Sequence, residues 1–134
     1  MAQAESRNQT PRPLSPHLQI YRWTWTMAMS IFHRVTGVAL YFGALVLAWF
    51  FLSIASGPEG YAGSSWFFGS WFGYLILFGF TWALMHHMLG GLRHFVWDFG
   101  KGFEAEERFL LAKLTLAGSV GLTLLIWVIV LIAR

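Results

Sequence analysis

VTGVALYFGALVLAWFFLSIA, residues 35–55, carries no charged side chain over 21 positions. About 20 predominantly apolar residues cross the hydrocarbon core of a bilayer as a helix, so this stretch predicts a transmembrane span. The helix is expected to begin several residues earlier, near Thr26, which puts Ser30, His33 and Arg34 in its first turns. Ser56-Gly57-Pro58-Glu59-Gly60 is a turn signal at its far end.

The rest of the chain agrees with a membrane environment. It is 57% hydrophobic and 11% charged, whereas a soluble domain carries roughly 25% charged residues. Its eight Trp and thirteen Phe suit membrane interfaces and large apolar contacts. A second run extends from Trp66 to about Trp97 and a third from Phe109 to Ala133. The expected architecture is an all-α membrane protein, a single domain over 1–134. It has a juxtamembrane segment over 1–25 and transmembrane helices over about 26–56, 66–98 and 109–133. Gly69 and Gly73 form a GxxxG pair in the second run, a spacing that brings membrane helices close. Lys113 lies one turn into the third span, near enough to the interface to snorkel.

Charge sets the orientation. Arg7, Arg12 and Arg22 precede the first span, and Lys101 and Arg108 lie between the second and third. The connection between the first two spans has no Lys or Arg. The positive-inside rule then places the N-terminus inside and the C-terminus outside. The nine Lys and Arg are dispersed around apolar runs, so the net charge of +3 reads as a topology signal and not as a nucleic-acid surface. Residues 1–24, with Pro11, Pro13 and Pro16, have neither the apolar run of a signal peptide nor the character of a transit peptide. The chain has no Cys, which excludes disulfides, cysteine-held iron–sulfur clusters and cysteine nucleophiles within it. Three helices enclose too little space for a transport path, so a multi-subunit helical bundle is expected.

Polar residues within the spans are the functional candidates, because ionisable groups are costly in hydrocarbon. His87, Gly91, His94 and Asp98 fall at i, i+4, i+7 and i+11, on one helix face. If Asp98 marks the inner interface, His87 lies roughly 16 Å deeper at 1.5 Å per residue, close to the midplane. A neutral imidazole there is either hydrogen-bonded to a neighbouring helix or a ligand of a metal such as haem iron. Gly90 and Gly91 remove bulk beside it, which suits a flat macrocycle. His86 points about 100° away and is expected to bond a neighbouring helix. His94 shares the face of His87 and cannot be the opposing ligand. His33 is expected nearer the inner interface, at the wrong depth, so a second ligand is expected from another chain.

On the first helix Ser30, His33, Arg34 and Gly37 follow i, i+3, i+4, i+7. Arg or His at this boundary can neutralise haem propionates, and a Ser hydroxyl with an Arg guanidinium can donate to quinone carbonyl oxygens. A snorkelling Arg beside wet polar groups is the plainer alternative. Arg93, His94 and Asp98 form either an interfacial polar collar or a supporting and docking group. Glu104, Glu106 and Glu107 read as a solvated run.

Two stretches carry a resemblance. One is Arg12-Pro13-Leu14, Leu18, Trp25 and Ser30-Ile31-Phe32-His33-Arg34-Val35-Thr36-Gly37. The other is His87, Gly91-Leu92-Arg93-His94-Phe95, Trp97-Asp98 and Gly100. Together they resemble the family of cytochrome b556 membrane-anchor subunits of succinate dehydrogenase, over nearly the whole chain. The resemblance implies an anchor for a flavoprotein and an iron–sulfur subunit, alongside a second small membrane anchor. It implies haem b shared with that second anchor, with His87 as one axial ligand of the iron. It also implies Ser30 and Arg34 at a ubiquinone site, and His33 and Arg34 near the haem propionates. His94 and Asp98 match without an equally firm role and stand as possible supporting residues. A bacterial inner membrane is the implied location. The rivals are a cofactor-free membrane scaffold, whose histidines only bond between helices, and the anchor of a fumarate reductase running in reverse.

Overall fold

The computed structural model describes residues 22–133. Residues 1–21, which include Arg7, Arg12, Pro13 and Leu18 and most of the expected juxtamembrane segment, lie outside the described residues. Four helices follow in order: α1 (Trp25–Ala55), α2 (Pro58–Gly69), α3 (Trp71–Asp98) and α4 (Ala105–Ile132). Among the described residues α1, α3 and α4 are long and apolar enough to cross a membrane. At about 1.5 Å per residue their lengths exceed a hydrocarbon core of about 30 Å.

The chain's own small polar residues set the helix ends. Thr24 caps α1, accepting from the Met27 amide at 3.4 Å. After Ser56 the backbone turns through Gly57 at φ 96°, and Pro58 opens α2 at its first position. Glycine suits that left-handed turn, and proline needs no amide hydrogen at a helix start. α2 then folds back on α1. Ser53 donates to Ser64 at 2.6 Å, and both are buried.

The second run is not one helix from Trp66. It breaks at Ser70, which ends α2 and caps α3 in an extended conformation. The Ser70 hydroxyl donates to the Phe67 carbonyl at 2.6 Å and accepts from the Gly73 amide at 3.1 Å. One side chain therefore terminates one helix and starts the next. The span consequently begins at Trp71. Gly69 and Gly73 fall on opposite sides of the break and do not form a single helix face. A Cβ at Gly73 would overlap the Phe67 carbonyl oxygen, so this glycine admits the last turn of α2. The charged loop is shorter than expected, because α4 starts at Ala105 and takes Glu106, Glu107 and Arg108 into its first turns.

Packing follows membrane rules. Among the described residues the buried apolar side chains are only Met29, Ala83 and Ala112, while the buried polar set includes Thr36, His86, Arg93, Thr115, Ser119 and Thr123. Large apolar side chains point outwards, Val35, Val38, Phe42 and Leu45 on α1 among them. α4 offers α3 a stripe of Ala112, Thr115, Ser119 and Thr123, at helical spacing, the small-residue contact by which membrane helices approach. α1 and α3 interlock through glycines. Phe80 fills the space at Gly43, His87 sits against Gly37 and His33 against Gly90.

Candidate functional site

α1 and α3 bring His33, His87 and His94 together, towards the start of α1 and the end of α3. The rings of His33 and His87 stack with centroids 4.1 Å apart and planes within 3°. His94 completes the group, its ring 5.2 Å from that of His33. His87 and His94 thus share the face their spacing predicted. The different depths expected for His33 and His87 are not found: α1 and α3 pass each other with His33 against Gly90 and His87 against Gly37, which sets the two rings at one level.

The His87 ring is held in one tautomer. Its Nδ1 lies 3.1 Å from the His33 carbonyl oxygen. A carbonyl can only accept, so Nδ1 carries the proton and Nε2 keeps its lone pair. Thr36 Oγ1 also donates to the His33 carbonyl, at 3.0 Å, and to that of Phe32, at 2.8 Å. This arrangement is the usual outer support of a metal-ligating histidine, with one ring nitrogen anchored by a carbonyl and the other presented. Among the described residues no three His, Asp or Glu side chains converge as a metal site. His87 therefore offers a single donor.

Beside the histidines lies a cavity of about 160 Å³ lined by Thr26, Ser30, His33, Arg34, Arg93, His94, Trp97 and Arg108. Ser30 and Arg34, exposed and on one face of α1 as their spacing predicts, line it together with the exposed His94 of α3. Three guanidinium groups line this space and no carboxylate does. Like charges gathered without a counter-ion repel one another, so the cavity suits carboxylates, phosphate or electron-rich oxygens. Arg93 is 6% exposed, its Nε has no hydrogen-bond partner, and its guanidinium carbon sits 5.1 Å from the Trp97 ring centroid. Asp98 is exposed and does not line the cavity.

One sequence expectation changes here and another holds. The room at Gly90 is taken by the His33 ring, whereas Gly91 faces open space. Only Gly91 leaves space beside His87 for a macrocycle or another chain. His86 does bond a neighbouring helix, its Nδ1 3.3 Å from Ser119 Oγ on α4. Sequence reasoning missed Thr26, Trp97 and Arg108 as cavity residues. For Trp97 the signal was present: Gly90, Arg93 and Trp97 follow i, i+3, i+7 and share a second face of α3. Nothing in the local sequence announces Arg108, which reaches the cavity from across the α3–α4 loop.

Comparison with known proteins gives a consistent picture. Residues 8–130 match the family described as succinate dehydrogenase/fumarate reductase transmembrane subunit. The chain is 42% identical over 118 residues to a succinate dehydrogenase cytochrome b556 subunit of Paracoccus denitrificans, covering 88% of this chain and 91% of that protein. It is 39% identical over 117 residues to a mitochondrial succinate dehydrogenase cytochrome b560 subunit of Sus scrofa, covering 83% of this chain and 69% of that protein. A cytochrome b556 subunit of Rickettsia felis is 35% identical over 117 residues, covering 87% and 91%.

Proposed function

Because this chain belongs to the family of succinate dehydrogenase/fumarate reductase transmembrane subunits, we propose that it anchors a succinate:ubiquinone oxidoreductase in the membrane, holds haem b and forms part of the quinone-reduction site. The observation that carries the reading is the His87 imidazole, held through Nδ1 by the His33 carbonyl at 3.1 Å with Nε2 left to bind.

The residues fit the group. His87 would hold the iron through Nε2, and a histidine of a second small anchor subunit would supply the other ligand. His33 and Arg34 meet the propionates, and the excess of arginine around the cavity supports that assignment. When bound, the haem accepts and returns one electron at its iron. At the quinone, the Ser30 hydroxyl and the Arg34 guanidinium donate to a carbonyl oxygen, orient the ring and stabilise negative charge as electrons arrive. The two protons come from the inner side. His94 supports the site through His33, and Asp98 serves the surface where peripheral subunits dock.

A chain without cysteine holds no cysteine-ligated iron–sulfur centre, so electrons arrive from an iron–sulfur subunit, itself fed by a flavoprotein. The membrane part is a single domain over 1–134 with the N-terminus inside, the C-terminus outside and the second anchor against its exposed faces. Its location is a bacterial inner membrane, as the bacterial relatives support. Electron flow runs from succinate to ubiquinone, supported by the succinate dehydrogenase relatives.

A redox-difference spectrum of the purified complex tests the proposal. The parent complex should show a b-type, bis-histidine spectrum, and His87→Ala should abolish it. An unchanged spectrum in that variant overturns the assignment.

A further inference from the structure

The stacked histidines are seated in two glycine sockets arranged reciprocally. A Cβ added at Gly37 on α1 would stand 2.9 Å from His87 Cε1 and 3.4 Å from its Nδ1. A Cβ added at Gly90 on α3 would overlap His33 Nδ1. Each helix thus supplies one imidazole and, one turn further along its own axis, the gap for the other's. The seat is continuous with the hydrogen bond that orients His87, because the accepting carbonyl belongs to His33. Gly37 is four residues on from His33, and Gly90 is three on from His87, so both gaps lie on the faces that carry the rings.

We infer that Gly37 and Gly90 are positioning residues that fix the plane of the His87 ring and so the direction in which its Nε2 points. The inference rests on the reading of His87 as an iron ligand. Sequence spacing put Gly37 on a polar face without a task, and Gly90 was expected to clear space for a macrocycle. The geometry gives both glycines to the histidines instead. Alanine is the better helix former. Damage from Gly→Ala at these positions must therefore come through the rings, since helix propensity acts in the opposite direction.

The two sockets make different demands. Filling Gly37 pushes directly on the His87 ring, near the nitrogen that bonds the His33 carbonyl. Filling Gly90 moves the His33 ring and disturbs His87 only through the stack. Gly37→Ala should therefore weaken haem retention and change the ligand field. Gly90→Ala should change the ligand field more mildly and retain haem.

The test uses the whole complex in membranes, with assembly counted by covalent or tightly held flavin per membrane protein. The readouts are haem per flavin after detergent washing and the g-values of the oxidised low-spin haem signal. Gly121→Ala on α4, where an added Cβ meets nothing within 4 Å, controls for the substitution itself and should match the parent. Gly37→Ala should shift the g-values and lose haem faster than Gly121→Ala. If Gly37→Ala fails to assemble, Gly90 decides through a double-variant cycle. Gly90→Ala should shift the signal in a chain with His33. Added to His33→Ala, which removes the obstructed ring, it should produce no further shift. g-values equal to the parent in both single variants, or an equal Gly90→Ala effect with and without His33, overturn the inference. His87→Ala separates this from the ligand assignment. If it leaves the haem signal intact, the assignment itself has failed. If it abolishes the signal while the glycine variants are silent, only the positioning role has failed.

Discussion

His86 Nδ1 lies 3.3 Å from Ser119 Oγ, joining α3 to α4 at a point where His86 has no exposed surface. The neighbouring His87 faces α1 instead, stacked on His33. Two adjacent histidines thus have separate tasks, one helix packing and the other the site. Ser119→Ala should remove one interhelical hydrogen bond, a loss of about 0.6 kcal/mol for such bonds in membrane proteins. His86→Ala should cost about 2–5 kcal/mol, as truncating a large buried side chain does. Thermal denaturation of the solubilised complex measures both. The haem spectrum should survive in each, and a spectrum lost with His86 while His87 is intact would contradict this division.

Ser30 and Arg34 line the same cavity from adjacent turns of α1. Replacing either by Ala should lower quinone reduction by at least about tenfold, the equivalent of roughly 1.4 kcal/mol. Succinate oxidation by an artificial dye should continue at the parental rate, because its electrons leave before the membrane. Quinone turnover at parental rates in both variants would remove these residues from the site.

Arg93 is buried with its guanidinium against Trp97. Arg93→Lys keeps the charge but loses the planar surface that stacks on an aromatic ring. It should reduce complex stability by about 1 kcal/mol, within the range of a desolvated cation–π contact. Arg93→Leu should relieve the burial of a cation and leave the cavity less attractive to anions. Stability and haem retention should then move in opposite directions, which parallel melting curves and haem-per-flavin measurements can detect.

The α2–α3 junction depends on Ser70 and Gly73. Gly73→Val forces side-chain carbon into the Phe67 carbonyl and should unseat α2. Ser53→Ala removes the bonds to Ser64 and to the Phe50 carbonyl, leaves the backbone of the junction untouched and should be mild. Proteolysis near Gly57 should rise sharply in the first variant and little in the second.

Sequence disclosed the spans well, because an uncharged run of 21 residues such as Val35–Ala55 has few other uses. It did not disclose the break at Ser70. That break depends on one hydroxyl serving two helix ends, in a run whose hydropathy is the same on both sides. The helical spacing of His87 and His94 put them on the correct face. The level of His33 relative to His87 was misjudged because each helix was placed on its own, from its charges, and not against the other. Reciprocal seating of the histidines was out of reach, since it depends on the relative height of two antiparallel helices. Arg108 was hidden for a similar reason, as the loop that carries it to the cavity has no periodicity to follow.

Over its 31 residues α1 buries only Met29, Thr36 and Ser53. The outward flank of that helix, which carries most of its aromatic and branched side chains, has no mate among the described residues. Copies synthesised in excess of their partners would drift in the bilayer with that flank bare, prone to self-association and to removal by membrane proteases.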